Sequence, residues 1–296
     1  MFKPMLADNT SIHTCFDKLV FPAYASFKVD GIRATVRGGV VYARSNEPLR
    51  NINIQKKFGH LEYLDFELGA GDPTSQKLCR YTGGITNSID KPVDDVRAYA
   101  FDHVADLSAP FSARKCLMDI TIKEKDPKRV IIEPLAQVLV HDLEELLAYE
   151  EVALDLGYEG LIVRSPSARY KCGRSTIKEG FLLKLKRFTD GEFEVLGFTE
   201  RMHNGNEKTT NALGRGKRSS HQENKSGRGD LGALILKFGG TTFQCGAGFS
   251  DSERAEIWGN KDAYLGKLAK IKYFAKGMKD VPRHPTFLSW RDRSDL

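Results

Sequence analysis

Short β-prone segments bounded by turn residues recur along this chain, and they limit what it can fold into. Tyr24–Val29, Val40–Arg44, Tyr63–Leu68, Arg97–Val104, Gly160–Arg164 and Phe181–Lys186 all read as strands. Helical signals are fewer. In Asp142–Leu156, Asp142 and Glu145 form a capping-box pattern, Leu143, Leu146, Leu147 and Leu154 make an apolar face, and Gly157 follows as a stop. A second helix is expected from about Ser112 to Ile122. The pattern is that of a strand-rich protein with a few helices, and 296 residues give room for one large or two ordinary domains.

A boundary is expected near Phe188-Thr189-Asp190-Gly191, dividing the chain into 1–188 and 189–296. Beyond it, Glu192–Phe198, Leu231–Phe238, Thr241–Cys245 and Ala269–Phe274 are strand-like, and Ser250-Asp251-Ser252-Glu253 is a capping box for one short helix. About a hundred residues of this composition fit a small closed barrel such as an OB-fold. A polar insertion at about 204–229, rich in Gly, Asn and Ser, interrupts it. The stretch from Arg201 to Gly229 holds Arg201, Lys208, Arg215, Lys217, Arg218, Lys225 and Arg228 against Glu207 and Glu223, +5 of the chain's +6 net charge. It is expected to be mobile on its own, having no core to join, and to meet a polyanion by neutralising phosphates.

The five cysteines are scattered and form no C-x-x-C pair, which excludes a zinc finger and a disulfide framework. Reduced thiols in a cytoplasm are the simplest reading. There is neither an apolar run long enough to span a membrane nor an apolar segment of signal-peptide length at the start. His141, His203 and His221 have no ligand spacing and read as structural or exposed.

Chemistry concentrates at Lys28-Val29-Asp30-Gly31-Ile32-Arg33. A lysine two residues from an aspartate, at a glycine turn, suits a nucleophilic amine held beside a carboxylate and a phosphate. Asp65-Phe66-Glu67 puts two carboxylates on one strand face, because strand side chains alternate with period two. Lys184-Leu185-Lys186 does the same for two amines. Arg44-Ser45, Phe101-Asp102, Glu159-Gly160-Leu161-Ile162-Val163-Arg164 and Tyr170-Lys171-Cys172-Gly173-Arg174-Ser175 complete the series.

In order and spacing these motifs resemble the short two-domain ATP-dependent DNA ligases of phages and bacteria, within the covalent nucleotidyltransferases. Pro4-Met5-Leu6-Ala7 is similar to their entry segment. Gly246–Arg254 and Pro282–Leu288 are similar to their C-terminal barrel. The resemblance covers nearly the whole chain. It implies an α+β protein: a nucleotidyltransferase domain of antiparallel sheets with flanking helices, ATP-grasp-like, followed by an OB-fold β-barrel. It also implies roles. Lys28 would attack the α-phosphate of ATP and carry AMP, with Asp30 beside it, and Lys184 and Lys186 would hold the phosphate. Those two lysines and a bound metal would depress the Lys28 pKa from about 10.4. Glu67 and Glu159 would orient Mg²⁺ or the ribose, Phe101 would stack on adenine, and Phe27 would line the nucleotide site. Arg33 and Arg44 would grip the nucleotide or the 5′-phosphate of a nick. Arg174, Lys217 and Arg218 would meet DNA, and Arg291 and Arg293 are candidates for the pyrophosphate.

Two positions depart from the family pattern. Phe66 stands where the third motif usually has Gly. Ser26 stands two before the lysine, where an acid or amide often contacts adenine, which bears on nucleobase discrimination. The implied function is nick sealing in duplex DNA by a cytoplasmic monomer, in a bacterial cell or phage-infected host, with ATP rather than NAD⁺ as AMP donor. The alternatives are an RNA ligase or capping guanylyltransferase, and a non-catalytic OB-type nucleic-acid-binding protein. The latter leaves the order of Lys28, Glu67, Glu159 and Lys184 unexplained.

Overall fold

A computed structural model of the chain describes residues 2–8, 11–275, 278 and 280–291. It contains two compact units, one ending at Arg187 and the other starting at Phe188.

The first unit is built on two sheets. Its elements are β1 (Ala23–Phe27), β2 (Ile32–Arg37), β3 (Val40–Ala43), α1 (Ile52–Phe58), β4 (Leu64–Ala70), α2 (Leu78–Thr86), β5 (Val96–His103), α3 (Phe111–Lys125), β6 (Ile132–Pro134), β7 (Gln137–Val140), α4 (Leu143–Asp155), β8 (Leu161–Arg164) and β9 (Leu182–Leu185). One sheet has the order β7-β1-β8-β9, the other β3-β2-β4-β5-β6. All their pairings are antiparallel except β5 with β6. The helices flank these sheets, so the unit is α+β.

Local signals explain two of the four helix starts described in this unit. Asp142 caps α4 by accepting from the Glu145 N–H. Glu145 reaches back to the His141 N–H at 2.8 Å, one residue further than a capping box requires. Asn51 caps α1, accepting from the N–H groups of Asn53 and Ile54. Helix α2 carries no such sign in its sequence, and two glycines stand inside it. It forms because Leu78 and Ile85 bury against unit 1, and because the Thr82 Oγ1 accepts from the Ala70 N–H at 3.0 Å. Packing overrides propensity here.

Phe66 resolves one departure from the family pattern. Along β4 the acids Asp65 and Glu67 share a face, and Phe66 points to the other. There it is wholly buried with Leu64 and Leu68, its ring 6.1 Å from that of Phe58. Burial of such a side chain contributes about 1.5–3 kcal/mol.

The second unit contains β10 (Thr189–Asn204), β11 (Lys208–Thr210), β12 (Gly216–Arg218), β13 (Lys225–Phe238), β14 (Thr241–Cys245), α5 (Asp251–Gly259), α6 (Lys261–Tyr264), β15 (Leu268–Phe274) and β16 (Arg283–Arg291). Five strands follow the order β14-β13-β10-β15-β16. A bridge from Ala247 to Thr286 joins the two ends of that order. Phe193, Val195, Leu234, Leu236, Phe243, Ile271 and Phe287 fill the interior. Ser250 and Glu253 form the expected capping box on α5.

The polar insertion forms an arm of paired strands. Strands β10 and β13 stay paired to Asn204↔Lys225, and β11 pairs with β12 beyond them. An antiparallel ladder satisfies backbone groups strand to strand and needs no apolar core. Buried Asn206 ties the arm together, donating to the carbonyls of Ser219 at 3.1 Å and His221 at 2.8 Å.

Candidate active site

Two glycines set the backbone of the site. Gly31 follows β1 at the turn into β2, and a Cβ there would lie 2.1 Å from the Leu68 carbonyl oxygen. Only glycine allows β2 to approach β4 so closely, with Arg33 opposite Glu67. Gly160 has φ +131, and a Cβ on it would lie 2.2 Å from the Leu185 oxygen. Its own carbonyl accepts from the Lys28 N–H at 2.9 Å. The Glu-Gly pair therefore fixes Lys28, Glu159 and the end of β9 against one another.

The side chains converge accordingly. Lys28 Nζ donates to Glu159 Oε2 at 2.6 Å, and Lys186 Nζ donates to Glu159 Oε1 at 2.7 Å. Burial opposes the Glu159 charge, but the two ammonium groups outweigh it and hold the carboxyl down to about 2. Burial likewise opposes the Lys28 charge, yet Glu159, then Asp30 and Glu67, hold the ammonium above its ordinary range. With neither metal nor nucleotide bound, the acids rather than the neighbouring lysines set the direction. Burial depresses Lys186, which faces Lys28 as well as Glu159. Lys184 is depressed by burial and by Arg174, Lys28 and Lys186. Among the described residues its ammonium makes no side-chain hydrogen bond or ion pair. A half-buried cation surrounded mainly by cations is suited to an anion.

Glu67 stands across from this group. Burial pushes its carboxyl up to about 7, against the pull of Lys28 and Arg33. Among the described residues no three His, Cys, Asp or Glu side chains cluster as a metal cage. Glu159 has both oxygens on lysines, so here it organises the amines. Glu67 fits an ion such as Mg²⁺ only where substrate phosphates complete the coordination.

Behind the site lies a buried layer of arginines and acids. Arg33 donates from Nε and Nη2 to both oxygens of Asp65, at 2.9 and 2.5 Å, and from Nη1 to the Met5 carbonyl. Tyr170 donates to Asp65 at 2.7 Å and accepts from the Met5 N–H at 3.0 Å. Asp102 accepts from Arg114 and Arg164, all three being buried. Arg33, expected to grip a phosphate or DNA, is held here by Asp65 and the Met5 carbonyl. The structure commits it to Asp65, because a buried guanidinium without its carboxylate is costly.

Phe101 owes its position to a β-bulge. Asp65 pairs with Asp102 and Phe66 with Ala100, so Phe101 is the extra residue of the bulge. Its ring lies 5.1 Å from the Arg33 guanidinium. Phe27 goes elsewhere. Its ring packs 4.9 Å from Tyr149 and 4.7 Å from Tyr158, on the core face of β1, which corrects its assignment to the nucleotide site. Neighbouring strand residues cannot share a face, and Lys28 takes the other.

The remaining candidates are scattered. Arg44 is exposed just after β3. Arg174 donates to the Ala7 carbonyl and lies near enough to Lys184 to depress it. Lys217 and Arg218 are exposed at the tip of the arm, Arg218 donating to the Asn206 carbonyl. Arg291, a candidate for the pyrophosphate, pairs with Glu192 at 3.3 Å; Arg293 lies outside the described residues. Arg164 and Tyr170 stand within motifs that the sequence singles out, without their supporting roles being legible there, and nothing local marks Arg114.

Known proteins share this arrangement of motifs. Residues 4–186 match the family described as the ATP dependent DNA ligase domain, and residues 225–291 match the DNA ligase OB-like domain. The chain belongs to the ATP-dependent DNA ligase family. The DNA ligase of African swine fever virus (strain Badajoz 1971 Vero-adapted) is 26% identical over 217 residues, 68% of this chain and 50% of that protein. The chain thus spans about half the length of the curated relatives it matches. The solved Chlorella virus DNA ligase-adenylate aligns with TM-score 0.56 and 28% identity over 98% of this chain and 100% of that one. A Lig E DNA ligase aligns with TM-score 0.72 over 98% and 100% of the two chains; at 23% identity this speaks to the fold alone.

Proposed function

We propose that this chain is an ATP-dependent DNA ligase that seals nicks in duplex DNA through a Lys28–AMP intermediate. The observation that carries the reading is the pair Lys28 and Lys186 on the single carboxylate of Glu159, beside Lys184, whose ammonium has no partner among the described residues. Lys28 Nζ attacks the α-phosphorus of ATP, forming a P–N bond as pyrophosphate leaves. The AMP passes to the 5′-phosphate of the nick, and the 3′-hydroxyl then displaces it and closes the strand.

Lys28 must lose its proton before it attacks, and Glu159 is the group against which that proton is held. Lys184 and Lys186 offset charge on the phosphate as it develops. Glu67 would hold Mg²⁺ shared with the phosphates; bound there, the ion supplies charge neutralisation and alignment. Phe101 offers its ring to the base. Asp65 and Arg33 keep β2 and β4 in place beneath these groups.

The arm presents Lys208 and Lys217 to solvent, with side chains suited to phosphate contact. No helix among the described residues is long and apolar enough to cross a membrane. We place the protein in the cytoplasm of a bacterial or phage-infected cell, acting as a monomer on nicked DNA. An RNA-joining reading is separated by substrate. Incubation with α-labelled ATP, then with nicked DNA or nicked RNA, should give a labelled protein that discharges onto and seals DNA. Absence of labelled protein overturns the lysine assignment, and preferential sealing of RNA overturns the substrate.

A further inference from the structure

Gln137 opens β7 and pairs with Ser26 on β1. Paired residues project to the same face of a sheet, and Ser26 shares its face with Lys28. Gln137 therefore stands in a row with the site. Its amide crosses to the other sheet, where Nε2 donates to the Phe101 carbonyl at 2.7 Å. Phe101 is the bulge residue proposed above to offer its ring to the base. The other end of the amide, Oε1, is buried and has no donor among the described residues.

Buried acceptors without donors are rare in native proteins, and each is unfavourable by itself. The polarity of this one is set by its neighbour. Turning the amide over would put Oε1 against the Phe101 oxygen, two acceptors face to face. The side chain must therefore offer an acceptor, not a donor, beside the Phe101 ring. Ser26 is too short to offer the same group from β1.

We propose that Gln137 selects the base of the nucleotide, its Oε1 accepting a hydrogen bond from the 6-amino group of adenine. Guanine carries a carbonyl oxygen at that position, an acceptor that would meet an acceptor. The 6-amino group supplies the donor that Oε1 lacks. This rests on the reading that the site takes ATP onto Lys28.

The test compares α-labelled ATP, GTP and purine riboside triphosphate, which is ATP without its 6-amino group, as donors of covalent label. Native protein should be labelled by the purine analogue at least about tenfold more slowly than by ATP, and by GTP more slowly still. In Gln137→Met, ATP should fall toward the rate of the analogue, so that the two substrates converge. Equal labelling of native protein by ATP and the analogue overturns the proposal. So does a Gln137→Met variant that slows both by the same factor, which would mean that the amide only ties β7 to Phe101. The native comparison decides the matter by itself if the variant does not fold. Native protein labelled by no nucleotide overturns the lysine reading as well, which sets that failure apart from failed discrimination.

Discussion

Lysines of the first unit and lysines of the arm are the same residue type put to opposite uses. Lys28, Lys184 and Lys186 lie partly buried, close enough to perturb one another, and the Glu159 carboxylate accepts from two of them. Lys208 and Lys217 lie exposed on a two-stranded ribbon. Burial makes each charge depend on its neighbours, which is how a pKa is moved and a nucleophile prepared. Exposure leaves each charge independent and screened by salt, which suits additive contact with a polyanion. The contrast teaches that a count of basic residues says little until their solvation is known.

Lys28→Ala tests this contrast most severely. Covalent labelling from ATP should vanish, while sealing of a pre-adenylylated nick should be affected less, since that step needs no covalent lysine. An AMP–protein adduct in this variant would show that the buried cluster is not the nucleophile's home.

Lys184→Ala should reduce self-labelling by on the order of 10²–10³ and leave the circular dichroism spectrum native. Unfolding would instead make Lys184 a structural residue. Asp65→Asn probes the layer beneath, where breaking a buried ion pair typically costs about 3–5 kcal/mol. Chemical denaturation should register a loss of this size in the first unit. A change near zero would mean that Arg33 finds another partner and is free to serve the site.

Stability against pH separates the two acids of the site. Glu67 titrates near 4.5 when unfolded and near 7 when folded, so the folded state holds the extra proton between those values. Its contribution should therefore fall as pH rises from about 4.5 to about 7 and level off above. Glu159, held at about 2, behaves oppositely: its contribution is present above about 4.5 and is lost as pH drops toward 2. Melting temperature against pH should show the decline between pH 4.5 and 7 in native protein and lose it in Glu67→Gln. An unchanged profile would place the Glu67 carboxyl in water.

The smallest effect belongs to the arm. Replacing Lys208 and Lys217 by alanine should flatten the dependence of log affinity on log salt, by about 0.9 for each phosphate the arm no longer neutralises. Parallel lines for native and altered protein would mean that the arm does not touch DNA.

The residue patterns settled much in advance. Period two along β4 put Asp65 and Glu67 on one face, the capping residues marked α4 and α5, and the β-prone runs named most strands. These are local effects, fixed by neighbours within a few positions. The ordered motifs pointed to the family because they record which side chains the chemistry needs. What they left open depended on partners far along the chain. That Arg33 belongs to Asp65, that Phe27 packs on α4, that the arm is a ladder and that Glu159 lifts the Lys28 pKa all follow from contacts across tens to hundreds of residues. Solvation decides such matters: a charge or ring takes its role from what surrounds it, and only the folded chain assembles those surroundings.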